Sequence, residues 1–412
     1  MIAAILPVRS LLSAIFMLMA GSGFLSTLIS LQLEGQGTTS LLIGLVATAY
    51  FAGLTLGSLY VSRLIERVGH IRAFATFVSL FSASTLAYAV QQDTAFWASL
   101  RFVDGFCMAG VFVCLESWLN DRAEPETRGS VLAGYMIALY AGQAIGQFLL
   151  NLSHDKPSMP FMAASILLSL AVIPVAMTRI AGPSPEARPP LTMRRLYDVS
   201  PLGIVGAAIT GLMLGAFYAL GAVYVRRLGM SLSAAAFFMS IVIVGGIVLQ
   251  WPIGRLSDRF DRRRVIVGTF AAAVVVSVGI ALAGTPGNLL LVFGGLFGGL
   301  TFALYPLCVA HTNDRLSREE RVGASGGLVL AYSVGAAVGP VAGATAMTAI
   351  GPSGLYVFIA LCAVGALAFA LWRQRIAVPV PNALQQPYQI LPRTTPMAAT
   401  LDPHAVEEAG SV

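Results

Sequence analysis

The 412-residue chain contains a single lysine, Lys156. A nucleotide-binding P-loop needs Gly-Lys-Ser/Thr, so that motif is excluded and pumping driven directly by nucleotide hydrolysis is unsupported. Only four histidines are present; they form neither His-Glu-x-x-His nor a clustered ligand set, so no metal and no cofactor is expected. The four cysteines, Cys107, Cys114, Cys308 and Cys362, all sit in apolar stretches and read as small apolar residues rather than a disulfide framework. Charge is scarce: 11% of residues are charged, where a soluble domain carries about a quarter. Residues 323–327 spell Gly-x-Ser-x-Gly, but they open an apolar helix with no strand before it. A hydrolase reading therefore fails its own context, and no enzyme is expected.

What the chain has instead is apolar length. Hydrophobic residues make up 57% of it, in long runs rich in Leu, Ala and Gly. Crossing a bilayer takes about 20 residues, and alternation of the β-barrel type is missing. The expected fold is an all-α membrane protein with twelve spans: 10–32, 40–62, 73–91, 95–119, 129–152, 160–180, 201–225, 231–253, 265–284, 288–312, 323–349 and 353–372. The first could pass for a signal peptide cleaved near Ala20-Gly21-Ser22; eleven further spans favour its retention.

Of 25 basic residues, 21 fall in alternate loops and tails: Arg9; 63, 67 and 72; 122 and 128; 179, 188, 194 and 195; 255, 259 and 262–264; 315, 318 and 321; 373, 375 and 393. The other set of loops holds only Lys156, Arg226 and Arg227, and Arg101 lies within a span. The positive-inside rule then places both termini in the cytoplasm. Arginines spread over short loops do not suit nucleic acid, so none is expected as a partner.

The arginine loops repeat. "RLIERVGHIR" at 63–72 returns as "RLSDRFDRRR" at 255–264, shifted by 192, and "NDRAEPETR" at 120–128 returns as "NDRLSREER" at 313–321, shifted by 193. Gly134, Gly142 and Gly146 recur as Gly327, Gly335 and Gly339. Two six-span units are implied, 1–180 and 201–373, joined by a polar cytoplasmic linker at 181–200. Residues 374–412 hold six prolines and no apolar periodicity, so a disordered cytoplasmic tail is expected.

These residues resemble the major facilitator superfamily (MFS). Gly254-Arg255-Leu256-Ser257-Asp258-Arg259 is similar to its G-x-L-x-D-R-x-G-R loop, with Asp261 in place of the second glycine. In the first copy Ser62, Glu66 and His70 replace the first glycine, the aspartate and a basic residue, while Gly69 is kept. Arg101-Phe102-Val103-Asp104-Gly105 resembles the family's R-x-x-Q-G signature. "QWPIGRLSDRF", "TFALYP" and "ESWLN" are most similar to the YcaD-type bacterial branch. The resemblance implies two bundles around a central path. It also implies a cytoplasmic gate in which Glu66 and Asp258 cap helix starts of the facing half. Arg67, Arg259 and Arg263 would pair there with Glu116, Asp121 or Asp314. The alternative is that these arginines only enforce topology.

Residues present in one half only are candidates for chemistry. Arg101, Asp104 and Glu116 of span four map near Phe293, Leu296 and Cys308. Ionisable groups inside a span are costly and mark pathways or relays. Arg101 and Asp104, at i and i+3, share a helix face; they form either a proton relay or a static ion pair. Glu116, about 22 Å further along the axis, reads as a helix-end acid facing cytoplasmic arginines. Gln143, Gln147 and Asn151 form an i, i+4, i+8 stripe that lines a cavity or bonds a neighbouring helix. Tyr218, Tyr305 and Tyr332 are expected substrate contacts, whereas Tyr224 beside Arg226 reads as an interface anchor. Gly53/Gly57, Gly142/Gly146 and Gly335/Gly339/Gly343 suit close helix crossings.

The function these features imply is secondary active transport of a small organic solute across the bacterial inner membrane. Alternating access, with protons as coupling ion, and a monomer in the lipid bilayer are expected. Proton-coupled export is the first reading; uptake of a small nutrient or anion, with Arg101 as its ligand, is the second, and a non-transporting membrane sensor the third.

Overall fold

A computed structural model describes residues 5–124, 126–154, 156–177, 191–284, 287–376, 380–381 and 384–403. Among them are twelve helices long and apolar enough to cross a membrane. The spans are Leu6–Gly35, Ser40–Val68, His70–Val90, Thr94–Arg122, Arg128–Ser153, Met159–Ala176, Pro201–Arg227, Leu232–Arg259, Arg262–Ala283, Asn288–Asn313, Glu320–Ile350 and Gly354–Ile376. Helices satisfy their own backbone, which hydrocarbon demands. Side chains such as Ile137, Ile166, Val248, Val275 and Leu361 project outward, as the lipid-facing surface of such a bundle requires.

Three departures from expectation have local causes. Spans two and eight run on through Val68 and Arg259, so the supposed arginine loops are mostly final helical turns. Arginine, leucine and glutamate are good helix formers, and only Gly69, or Phe260 with Asp261, remains as connector. Span one is broken into Arg9–Ser22 and Leu25–Gly35 around Gly23 and Phe24. Span five is α-helical only to Gly146 and continues as a tighter 3-10 turn over Gln147–His154, which rotates the three polar residues off one stripe.

The expected close crossings are present, and they obey the repeat. A Cβ on Gly142 or Gly146 would meet the carbonyls of Phe16 and Ala20 in span one at 2.5 and 2.4 Å. Their counterparts Gly335 and Gly339 would meet those of Ala208 and Leu212 in span seven at 2.0 and 2.2 Å. Gly53 lies against the Phe102 carbonyl, and Gly245 likewise against that of Gly295.

Contacts between the halves repeat as well. Thr48 Oγ1 donates to the Ala337 carbonyl at 2.7 Å, and Ser240 Oγ donates to the Ala144 carbonyl, also at 2.7 Å. Adding the repeat shift to Thr48 and Ala144 gives Ser240 and Ala337, so one bond is drawn twice about a pseudo-two-fold axis. Glu34 and Arg227, separated by 193 positions, close on each other at 2.7 and 2.8 Å. These ties lie toward the face opposite the arginine-rich one.

Of the linker, residues 181–190 lie outside the described residues. Met193–Val199 forms a short helix that docks on span eleven, with Leu196 against Gly327 and Arg195 within 3.7 Å of Glu320. The tail differs most from expectation. Residues 384–403 are laid into the bundle, with Leu391, Thr395, Ala398 and Leu401 buried. Residues 404–412 lie outside the described residues.

Replacing Gly335 by alanine should destabilise the protein by about 1–3 kcal/mol, because backbone must move to admit the methyl group. Gly365→Ala, where an added Cβ meets nothing within 4 Å, is the control. Thermal unfolding of both variants in detergent measures the difference; equal melting temperatures would refute the close-crossing account.

Candidate functional site

Between the halves lies a cavity of about 140 Å³. Spans one, two, four and five line one side with Ser26, Tyr50, Arg101 and Gln143; Tyr218 of span seven and Tyr332 of span eleven line the other. Toward the arginine-rich face it is capped by Pro392, Arg393 and Thr394 of the tail.

Arg101 reaches this cavity from span four. One guanidinium nitrogen donates to Ser26 Oγ at 2.6 Å, and the group lies 4.2 Å from the centre of the Tyr50 ring. Asp104 does not reach it. It is fully buried behind Arg101, where Ser84 and Tyr88 donate to its two oxygens at 2.5 and 2.6 Å. Its approach to Arg101 is looser, at 3.8 Å. Helical spacing brings the two groups to one face, but the hydroxyls of span three hold the carboxylate away from the path.

The polar stripe of span five is divided. Gln143 lines the cavity, Gln147 donates to the Gly23 carbonyl at the break in span one, and Asn151 accepts from Ser233 across the halves. Gly23 is needed there because a Cβ would come within 3.0 Å of the Gln143 Cα. Tyr305 is not a wall residue; it packs edge-on against Tyr332 at 5.5 Å between ring centres.

The expected gate pairs are replaced by others. Arg262, not Arg259 or Arg263, is the hub. It is 1% exposed, donates to Asp314 at 2.6 Å and to the Ala310 carbonyl at 3.1 Å, and reaches Asp258 at 3.4 Å. Burial pushes the Asp314 carboxyl above its ordinary range, against the pull of Arg262. Arg263 instead chelates Asp261 in its own turn, at 2.9 and 3.2 Å. Partial burial works against ionising Asp261, but hydrogen bonds from Arg263 prevail and hold its pKa low. Glu66, Arg67 and Asp121 stand exposed at the first-half mouth. Glu116 faces no arginine loop: it is buried and accepts from Tyr135 at 2.6 Å and from the Thr394 and Thr395 hydroxyls. Arg262 and Arg263 find their acids within their own half, and tail residues supply further partners to Asp258, Asp314 and Glu116.

Sequence reasoning missed Glu34, Tyr140, Arg262, Phe302 and the whole tail. Glu34 had a signal, since the repeat shift carries it onto Arg227. Arg262 had one too, as the counterpart of His70. A proline-rich tail carries no periodic signal.

A second cavity, of about 430 Å³, opens beside the mouth between spans five and eight. Tyr140, Trp251, Arg255 and Tyr388 contribute to its lining.

The family model for the Major Facilitator Superfamily matches residues 11–301 and 204–401. An "uncharacterized MFS-type transporter YcaD" from Escherichia fergusonii is 30% identical over 358 residues, covering 86% of this chain and 92% of that protein. An MFS-type transporter from Enterobacter sp. (strain 638) is 31% identical over 359 residues, with the same coverage of each. Among solved structures, the nucleoside transporter NupG superposes with a TM-score of 0.71 at 15% identity, covering 90% of this chain and 98% of its own. A bacterial homologue of the lysosomal transporter Spinster, inward-facing and occupied, gives 0.73 at 14% identity, covering 92% and 97%. The MFS transporter FucP in its outward conformation gives 0.57 at 17% identity, covering 90% and 99%.

Arg227→Gln should loosen the closed face. The bidentate pair is only part-exposed, and its loss should shift the conformational balance a few-fold, on the order of 1 kcal/mol. A cysteine introduced at Ser30, which is buried one turn before Glu34, should then react faster with a membrane-impermeant maleimide, and the exchange Glu34→Arg with Arg227→Glu should restore the slow rate. Labelling unchanged by Arg227→Gln would remove the pair from control of this face.

Proposed function

The chain belongs to the Major Facilitator Superfamily, a family of secondary transporters, and from that premise we propose that it carries a small organic solute through the central cavity by alternating access with protons as coupling ion. The observation that carries this reading is a cavity-facing arginine with a buried carboxylate directly behind it.

The arginine-rich face is read as cytoplasmic, because arginine retention sets topology. The Glu34–Arg227 pair and the twin hydroxyl–carbonyl bonds close the outer face. The conformation described is then inward-facing, in keeping with the better superposition on an inward-facing relative than on an outward one. Rocking of the halves about the cavity would break the outer ties and bring the arginine-rich rims together.

Coupling follows from charge balance. Arg101 divides its donors between Ser26 at the cavity and Asp104 behind it. An acceptor group on a solute draws the guanidinium forward. A buried carboxylate deprived of its cation is costly, and uptake of a proton removes the cost. Solute and proton then travel together, so this geometry favours the uptake reading over export. Tyr88 and Ser84 can hold Asp104 in either state, because hydroxyls both donate and accept.

Arg101 is thereby a solute contact and Asp104 its positioning and proton-carrying partner. Asp104→Asn in proteoliposomes with an imposed proton gradient should abolish gradient-driven accumulation while exchange of solute across the membrane persists. Arg101→Ala should abolish both. Gradient-driven accumulation that survives Asp104→Asn would remove Asp104 from coupling.

A further inference from the structure

The tail crosses the open mouth in a fixed register. The Gln386 amide donates to Asp314 at 2.9 Å, and its carbonyl accepts from Arg262 at 2.6 Å. The Tyr388 amide donates to Asp258 at 2.7 Å, and its ring lies over Gly254, where an added Cβ would come within 2.3 Å. These contacts are all with the second half. Thr394 and Thr395 then donate to Glu116 of the first half, and the turn Pro396–Leu401 packs against spans four, five and eleven. The loop motif and hub therefore recognise backbone of the tail, and span four recognises its threonines.

Between these anchors Arg393 points into the cavity. Its guanidinium lies 4.5 Å from the centre of the Phe302 ring, 5.6 Å from Tyr332 and 5.9 Å from Tyr218. One nitrogen donates to the Tyr218 hydroxyl at 3.1 Å. Aromatic faces grouped around a desolvated cation attract it through their quadrupoles, and such cages are how quaternary and guanidinium-type cations are recognised. The three rings come from spans seven, ten and eleven, and ring contacts run between Tyr218 and Phe302 and between Phe302 and Tyr140. Tyr218 and Tyr332 line the cavity that Arg101 also lines, and Phe302 meets the Arg393 guanidinium beside them; together they form one aromatic wall around that cation.

We propose that this aromatic wall is a cation subsite for the transported solute, and that Arg393 of the tail occupies it as a tethered competitor. The proposal rests on the transport reading for the word "solute", but not for the binding itself. It assigns a chemical class: a small organic molecule bearing a guanidinium or alkylammonium group. Where such a molecule also carries an acceptor, Arg101 lines the same cavity to receive it.

The tether sets how strong the competition is. Arg393 follows the end of span twelve at Ile376 by 17 positions. Held by the anchors at Gln386 and Tyr388 on one side and at Thr394 and Thr395 on the other, its guanidinium has an effective concentration at the subsite of at least the order of millimolar. A tethered competitor with modest intrinsic affinity then keeps the subsite largely filled, yet yields to a free cation that binds well. Apparent affinity for the free cation falls in proportion to the fraction of open subsite.

The test is equilibrium binding to the purified full chain in detergent, using butylguanidinium and its neutral isostere butylurea. Arg393→Ala should bind butylguanidinium about tenfold more tightly than the wild type, as expected if the tail fills the subsite about nine-tenths of the time. Butylurea should bind neither protein. Arg393→Lys, which keeps a cation on the tail, should behave like the wild type. Phe302→Ala in the Arg393→Ala background should abolish the gain. Arg393 lies on the tail rather than in a span, and thermal unfolding of each variant checks that the bundle is intact. Equal affinity of wild type and Arg393→Ala for butylguanidinium, or equal binding of butylurea and butylguanidinium, would overturn the proposal. Because no transport is measured, failure here leaves the transport reading standing, and failure of the proteoliposome assay leaves the cation subsite standing.

Discussion

The structure depends on how its two halves meet. One hydroxyl-to-carbonyl bond is made twice, from Thr48 to Ala337 and from Ser240 to Ala144, and the single Glu34–Arg227 pair lies where the two copies approach the axis. Symmetric contacts cost the sequence little, since each repeat supplies both the donor and the acceptor of the same bond. The ion pair differs in kind. A symmetric position by the axis would bring like residues together, and two glutamates or two arginines would repel. The repeat has diverged there to opposite charges, which turns a conflict into a latch. Part-exposed, the latch is weak, as a contact that must open and close should be.

Closure at one face decides what happens at the other. The helices are stiff, and their backbones touch through Gly142, Gly146, Gly335 and Gly339 without an intervening side chain. In the proposed alternating-access cycle each half would therefore move as a unit, and a tight outer contact would part the inner rims. That fits the exposure of Glu66, Arg67 and Asp121 at the first-half mouth. The same residues remain well placed for the opposite conformation. Arg262 already serves a second purpose within its half. It ties the ends of spans eight and ten through Asp258 and Asp314. His70 stands at the equivalent place in the first half, where Trp118 packs near its ring, so the two rims are unequal in charge and in grip.

Much of this was legible before any coordinates. The twelve spans followed from apolar length alone, and the two copies of the arginine motif, "RLIERVGHIR" and "RLSDRFDRRR", begin in equivalent final helical turns. The glycine crossings followed from spacing; Arg101 was singled out because an ionised group is expensive in a span, Gln143 as part of a polar stripe, and Tyr218 and Tyr332 as expected substrate contacts, and all four line the cavity. What escaped was governed by neighbours in space. Asp104 is turned from the path by Ser84 and Tyr88, which lie on another helix. Gln147 is turned by a switch to 3-10 winding that no residue pattern announces. Glu116 was taken for a partner of Arg67, Arg259 or Arg263 because the family resemblance implied such pairs at helix ends, while its partners Thr394 and Thr395 come from far along the chain. The tail was judged by composition, and composition speaks for a chain in water. A segment that finds ready-made donors and acceptors in a cleft needs no core of its own to become ordered.

The tail's contacts constrain how a transport cycle could proceed. Asp258 and Asp314 hold tail residues in this conformation, and both stand on the second-half rim that, in the proposed cycle, would meet its counterpart when the inner face closes. Rim closure and tail binding therefore compete for the same carboxylates. Each hydrogen bond to a charged group is worth about 1.5–3 kcal/mol when its partner is lost, but release is not a net loss if the rim arginines take the vacated positions. The exchange is between two sets of partners for one set of acids, so the inward-facing state can be well populated without being a trap. On the proposed subsite, a solute that displaces Arg393 would remove one anchor of the strap and leave the rim acids more readily exchanged. Occupancy of the cavity and freedom of the gate would then be linked through a single short segment, with no long-range path through the helices required.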